Sequence, residues 1–181
     1  MDIRIRNIFN TIYSREVEYR GTVDILLQAC PNHILEDHHK VVVLRSNLCI
    51  LCEHIFCLFG YHKLMHGADL VNHSTKVIIE LKNSEKSDNV SSKKANMKKL
   101  IKTRFDFTDK YTLVYGMVND REPRDKTIKY HGVDVRLLTG KYLLQFVMGD
   151  KYEETIQILQ NVFRDYFSDT KWRSGNTLKF N

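Results

Sequence analysis

Apolar residues recur at helical spacing in some stretches of the chain and crowd into short runs in others. Leu44, Leu48, Leu51, Ile55 and Leu58 repeat every three or four residues. That spacing predicts a core helix from about residue 35 to 59, stopped by Gly60. The run Val41-Val42-Val43 also reads as strand, which leaves the start of this helix open. Ile156, Leu159, Val162 and Phe163 mark a second amphipathic helix over residues 152–167. Residues 3–29 read as largely helical, with Ile5, Ile8, Ile12, Val23, Leu26 and Leu27 as apolar positions, before Pro31 and Asn32 interrupt.

Shorter apolar runs predict strands. Residues 68–71 and 76–82 form two of them, joined by Asn72-His73-Ser74-Thr75. Residues 111–118 are rich in β-branched and aromatic side chains and read as the central strand. Residues 133–138 supply another. Between these runs, residues 83–92 are polar and read as a loop, residues 92–103 as a basic helix, and residues 119–131 as a charged loop. The order of helices, strand pair, helix, two strands and helix predicts an α/β sandwich around a mixed sheet. At 181 residues the chain fits one domain. Its parts are a helical amino-terminal region over 1–35, a core over 36–167 and a basic tail over 168–181.

Charge sharpens this outline. The chain carries 28 Lys and Arg against 22 Asp and Glu, a net of +6. Residues 82–104 hold eight of the bases (Lys82, Lys86, Lys93, Lys94, Lys98, Lys99, Lys102 and Arg104) and two acids, Glu85 and Asp88. That one segment therefore equals the whole net charge. It predicts a polyanionic partner, the plain alternative being a solvated helix face. No signal peptide is visible, and the longest apolar stretch, residues 48–61, is interrupted by Glu53 and His54 and too short to span a bilayer. The four cysteines, Cys30, Cys49, Cys52 and Cys57, then read as free thiols of a cytoplasmic, reducing location, with no membrane partner.

Candidate chemistry gathers around Asp69 and Val77-Ile78-Ile79-Glu80-Leu81-Lys82. Side chains alternate faces along a strand, so Glu80 and Lys82 share one face. A two-residue turn at His73-Ser74 pairs Asn72 with Thr75 and Asp69 with Ile78. Asp69 then joins the face of Glu80 and Lys82 as a diagonal neighbour of the glutamate. A slip of one residue destroys the arrangement. Two carboxylates with few other protein ligands suit Mg²⁺, with Mn²⁺ as a substitute, and the backbone carbonyl of Leu81 offers a further oxygen. Lys82 is placed to orient a water and to stabilise developing negative charge.

Asp69 with Glu80-Leu81-Lys82 resembles the PD-(D/E)xK nuclease superfamily, with His66-Gly67-Ala68 in place of the proline that often precedes the aspartate. The organisation is similar to that of small type II restriction endonucleases over residues 36–167. It extends to the basic stretch after the Glu-x-Lys, the strand at 111–118, and Val135 to Lys141 followed by Met148-Gly149-Asp150. The resemblance implies an α/β/α core with a mixed central sheet, Asp69, Glu80 and Lys82 as catalytic residues, and Asp69, Glu80 and Leu81 as metal ligands. It also implies a homodimer that cuts both strands of double-stranded DNA. A junction resolvase or repair nuclease, and a protein of the same fold that binds nucleic acid without cutting, remain open beside the restriction enzyme. The amino-terminal helices are the expected dimer surface.

Several residues divide the expected DNA contacts. Lys93, Lys94, Lys98 and Lys99 are placed for phosphates, with Lys86 in the same segment. Asn83, Ser84, Asn89, Ser91, Ser92 and Asn96 are placed to read base edges. Arg121, Arg124, Lys126 and Lys129 are alternative readers, and Trp172 with Lys171 and Arg173 is a candidate clamp; for each, plain solvent exposure or tail packing is the competing reading. Cys49-x-x-Cys52 with His54 and Cys57 invites zinc, but one continuous helix does not readily enclose a tetrahedral ion, and buried cysteine is the simpler reading. His38, His39, His62 and His66 read as ordinary histidines, His66 being the one close to Asp69 in sequence. Glu36 and Glu53 precede the site on the long helix, where a salt bridge competes with support of a metal.

Overall fold

Strand alternation sorts the apolar side chains into two layers, one on each face of a single sheet. The computed structural model describes residues 1–13, 25–26, 43–82, 90–107, 110–118 and 123–168. In chain order the elements are α1 (Asp2–Tyr13), β1 (Ile25–Leu26), β2 (Val43–Leu44), α2 (Arg45–Cys57), β3 (His62–Lys63), β4 (Leu70–Asn72), β5 (Val77–Lys82) and α3 (Val90–Phe105). Then come β6 (Thr112–Met117), β7 (Asp125–Tyr130), β8 (Val133–Thr139), α4 (Lys141–Met148), a 3-10 turn (Gly149–Lys151) and α5 (Tyr152–Ser168). Six strands form one mixed sheet in the order β3-β4-β5-β6-β8-β7. β5, β6 and β8 run parallel; β3, β4 and β7 pair antiparallel with their neighbours.

Val77, Ile79, Leu81 and Val114 point into a core made with α1, α2, α4 and α5. Ile78, Leu113, Tyr115, Met117, Val135 and Leu137 point the other way, onto Met97 and Leu100 of α3. Helices therefore cover both faces, and each large side chain fully buried between layers contributes about 1.5–3 kcal/mol. Gly116 of β6 lets α4 approach closely, since a Cβ there would lie 3.0 Å from a Leu143 methyl. Among the described residues no helix is long and apolar enough to cross a membrane.

The expected mixed α/β organisation is present, with differences that have physical causes. The amino-terminal region is not helical throughout. α1 is described over Asp2–Tyr13, and Ile25–Leu26 is strand, paired with Val43–Leu44. The extended reading of the valine run is thus realised at Val43, where β-branching favours strand, and α2 begins only at Arg45. Residues 14–24 and 27–42, with Cys30, Glu36, His38 and His39, lie outside the described residues. α1 packs its apolar side inward: Ile5 and Phe9 are fully buried among α2 and α5 residues, and Arg6 bonds both Asp2 and Asp165 at 2.8 Å.

The charged stretch at 119–131 contains β7. Its sequence Asp-Lys-Thr-Ile-Lys-Tyr looks like loop because it is an exposed edge strand, where charge discourages pairing with other chains. A two-residue turn, His131-Gly132 with φ of 49° and 78°, joins it to β8. α4 is a further element with no counterpart among the expected ones. It is a short, strongly apolar helix between Gly140 and Gly149, and its buried face (Leu143, Leu144, Val147, Met148) docks on the sheet.

Candidate functional site

The site forms where β4 stops short beside the end of β5. The turn joining these strands is four residues long, not two, because the buried Asn72 organises it: its Oδ1 accepts from the Ser74 and Thr75 amides at 3.0 Å, and its Nδ2 donates to the Phe59 carbonyl at 3.3 Å. Asn72 consequently pairs Val77, and Leu70 pairs Ile79. The register differs by two residues from the one expected. An even shift preserves the face, so Asp69 still meets Glu80, now opposite it instead of diagonal to it.

Asp69 is fixed from several directions. Its amide donates to the Ile79 carbonyl at 3.1 Å, its carbonyl accepts from the Leu64 amide at 3.1 Å, and its Oδ2 accepts from the Leu81 amide at 2.6 Å. The β4–β5 ladder ends at Leu70, so the carboxylate takes the next β5 amide in place of a backbone partner. The preceding residues are pinned to α3. Ala68 donates its amide to Thr103 Oγ1 at 2.8 Å, and that hydroxyl donates to the Lys99 carbonyl at 2.9 Å. Gly67 is required for this approach: its φ is 90°, and a Cβ there would sit 2.4 Å from Thr103 Oγ1.

Glu80 is entirely buried. Lys82 Nζ lies 2.8 Å from its Oε1, and Lys99 Nζ lies 2.7 Å from its Oε2 and 3.6 Å from Asp69 Oδ1. Beyond these ammoniums neither Glu80 oxygen has a hydrogen-bond donor among the described residues. Burial raises the Glu80 pKa above the ordinary carboxylate value; the two lysines oppose that rise and the Asp69 charge adds to it. Across the corner, Cys49 of α2 is a thiol pushed up to about 12, by burial first and by the Glu53 charge next. The charges of Lys82 and Asp69 also reach it, which sets α2 beside the same corner. Glu53 itself pairs with Lys63 of β3 at 2.9 Å.

Asp69, Glu80 and Lys82 are thus brought together. Lys99, expected at a phosphate, is drawn into the carboxylate pair instead. Helical spacing offered a signal for this: Lys99 is one turn before the buried Thr103 and beside the buried Leu100, so it is half-turned toward the sheet. Lys94, Lys98 and Lys102 recur every four residues as one exposed stripe of α3, while Lys93, Ser92 and Asn96 are partly buried. Ser91 lies in the first turn of α3. Asn83, Ser84, Lys86 and Asn89 fall outside the described residues, as do Arg121 and the tail with Lys171, Trp172 and Arg173. Arg124 precedes β7, and Lys126 and Lys129 lie on it.

His66 is exposed, and His73 belongs to an aromatic group at the far end of β5, with Tyr111 Oη at 2.8 Å and the Phe107 ring at 5.5 Å. Cys49 and Cys57 are free thiols, and Cys52 of α2 is buried in the core. Among the described residues no group of three or more His, Cys, Asp or Glu is arranged to hold a metal ion. The carboxylate pair does hold one cationic group, the Lys99 ammonium, which lies between Asp69 Oδ1 and Glu80 Oε2. The chain matches no protein-family model, no curated protein and no solved structure.

Proposed function

We propose that the chain is a Mg²⁺-dependent endonuclease that hydrolyses phosphodiester bonds of double-stranded DNA, as a homodimeric type II restriction enzyme of the PD-(D/E)xK kind. The observation that carries this reading is the Asp69–Glu80–Lys82 corner, with a cationic group already between the two carboxylates. Asp69 Oδ1 and Glu80 would hold the ion. Leu81 adds its carbonyl, because the amide and carbonyl of one residue leave a strand on the same edge and the Leu81 amide faces Asp69. When bound, Mg²⁺ supplies Lewis acidity toward the phosphate and the attacking water.

The remaining work falls to the chain. Asp69 is held by three backbone bonds and Glu80 by complete burial, so neither carboxylate reorganises much to receive a cation. Lys82 keeps a positive charge beside Glu80, where it orients water and stabilises the charge that develops on the phosphate. The stripe of Lys94, Lys98 and Lys102 meets phosphates of the duplex, with strongly salt-dependent affinity. The four charged side chains of the corner sum to zero without any metal, and this favours one second reading: a protein that binds nucleic acid without cutting.

Cleavage of supercoiled plasmid and of a four-way junction separates these readings. Discrete plasmid fragments with Mg²⁺, lost with EDTA and in Lys82→Ala, are the expected result. Cutting of the junction alone moves the assignment to a resolvase. Salt-sensitive binding without cleavage of either substrate leaves the non-catalytic reading standing.

A further inference from the structure

We propose that Lys99 is a built-in counter-cation of the Asp69–Glu80 pair, holding the place of a divalent cation in the metal-free protein and leaving when the metal enters. The inference rests on the nuclease reading of this corner and adds a step to it. Two carboxylates share the site, one of them with no access to water. Like charges this close need a neutralising partner. Lys99 Nζ supplies it from between them, 2.7 Å from Glu80 Oε2 and 3.6 Å from Asp69 Oδ1.

The route out is also present. Lys82 is rooted on β5 beside Glu80, whereas Lys99 reaches in from α3 and its side chain keeps 36% of its surface exposed. A short rotation of its four-carbon stem returns the ammonium to solvent or to a phosphate. If Lys99 stayed in place, a divalent ion would leave the corner with a surplus of two positive charges. With Lys99 moved to a DNA phosphate, the charge it carried neutralises the substrate instead. Metal binding and DNA binding then favour each other. The Thr103 hydroxyl ties the Lys99 carbonyl to the Ala68 amide, so the helix turn that presents the lysine also fixes the chain leading into Asp69.

Calcium titration of the whole chain, by calorimetry and by the rise in melting temperature, tests the idea without any cleavage readout. Lys99→Met tightens Ca²⁺ binding by about tenfold, as expected when an internal competitor is removed. Lys102→Met, an equal charge change at an exposed position of the same helix, shifts it less than about twofold because solvent screens it. Adding Asp69→Asn to Lys99→Met abolishes the gain. Lys99→Gln, which keeps a hydrogen-bond donor, covers the case in which the Met variant does not fold. Unchanged or weaker Ca²⁺ affinity in the Lys99 variants overturns the proposal, as does equal tightening in Lys102→Met. Cleavage by the wild type with no Ca²⁺ gain sinks the counter-cation alone. A Ca²⁺ gain without any cleavage sinks the nuclease reading and leaves the counter-cation.

Discussion

The β4–β5 hairpin and the β7–β8 hairpin lie on either side of β6, and both carry an acidic residue near a basic one. In the first, Glu80 is wholly buried between Lys82 and Lys99. In the second, Arg136 makes two bonds to Asp125, of 2.9 and 2.7 Å, with both side chains more than a third exposed and the guanidinium 5.0 Å from the Phe146 ring centroid. Water screens the second pair, so it costs little to form and contributes little. The first lies in low dielectric, where the desolvation of Glu80 outweighs what the lysines return, as its raised pKa records. A sheet able to place ion pairs at its rim has no folding need for one in its interior. The buried network is therefore the place to look for function.

The glycines of the two hairpin regions give the largest expected contrast. Gly67 and Gly132 both have positive φ, of 90° and 78°. A methyl at Gly67 meets Thr103 Oγ1, which is held by two hydrogen bonds, whereas a methyl at Gly132 meets nothing within 4 Å. Gly67→Ala should cost about 2–4 kcal/mol, combining backbone strain with a steric clash. Gly132→Ala should cost about 1 kcal/mol from strain alone. Urea unfolding of the two variants measures both. Equal losses would mean that the segment before Asp69 is not pinned to α3.

Legibility in the sequence follows the same divide. The β5 and β6 strands are apolar runs with buried faces, so pattern alone located them, and parity alone placed Asp69 on the face of Glu80. The turn length is not legible in the sequence, because the determining contact, Asn72 to the Phe59 carbonyl, is tertiary. The two-residue turn does exist, at His131-Gly132, but the strand before it carries little hydrophobic signal, because only Ile128 and Tyr130 of β7 pack, partly buried, against the core. By charge alone Lys99 reads as a residue placed for phosphate. Its inward position comes from where α3 crosses the sheet, which residue spacing hints at without fixing.

Neutralising each acid sharpens the comparison further, because the two changes should have opposite signs. Glu80→Gln removes a buried charge while keeping the shape, and Lys82 and Lys99 both have exposed surface through which to return to water. Removing one partner of a buried pair is costly when it strands the other charge in the interior; here both lysines can reach water, so relief of the Glu80 burial penalty should dominate and stabilise by about 1 kcal/mol at neutral pH. On the proposed nuclease function, the same variant should also lose cleavage. Asp125→Asn should lower stability by a few tenths of a kcal/mol, typical of an exposed pair. Thermal and urea midpoints at pH 7 check both signs. A large destabilisation by Glu80→Gln would show that the buried network holds the fold together.

The smallest effect is the pH dependence of those two differences. Arg136 holds the Asp125 carboxyl below its ordinary value of 3.8. Its stabilisation is therefore complete above the unfolded value and is lost only as pH falls through the lowered folded one. The Asp125→Asn difference should stay flat between about pH 4 and 8. Glu80 behaves in the opposite sense. With its folded value raised by burial, the native state binds the proton more tightly than the unfolded chain does. Wild-type stability then falls as pH rises from the unfolded value through the folded one. Gln cannot titrate, so the advantage of Glu80→Gln should be near zero at about pH 4 and grow as pH rises through the raised folded value. Paired urea midpoints across this range cancel every group the two proteins share. A Glu80→Gln difference that does not change with pH would mean that the carboxylate pays no burial penalty, and the distinction between the two hairpins would rest on packing alone.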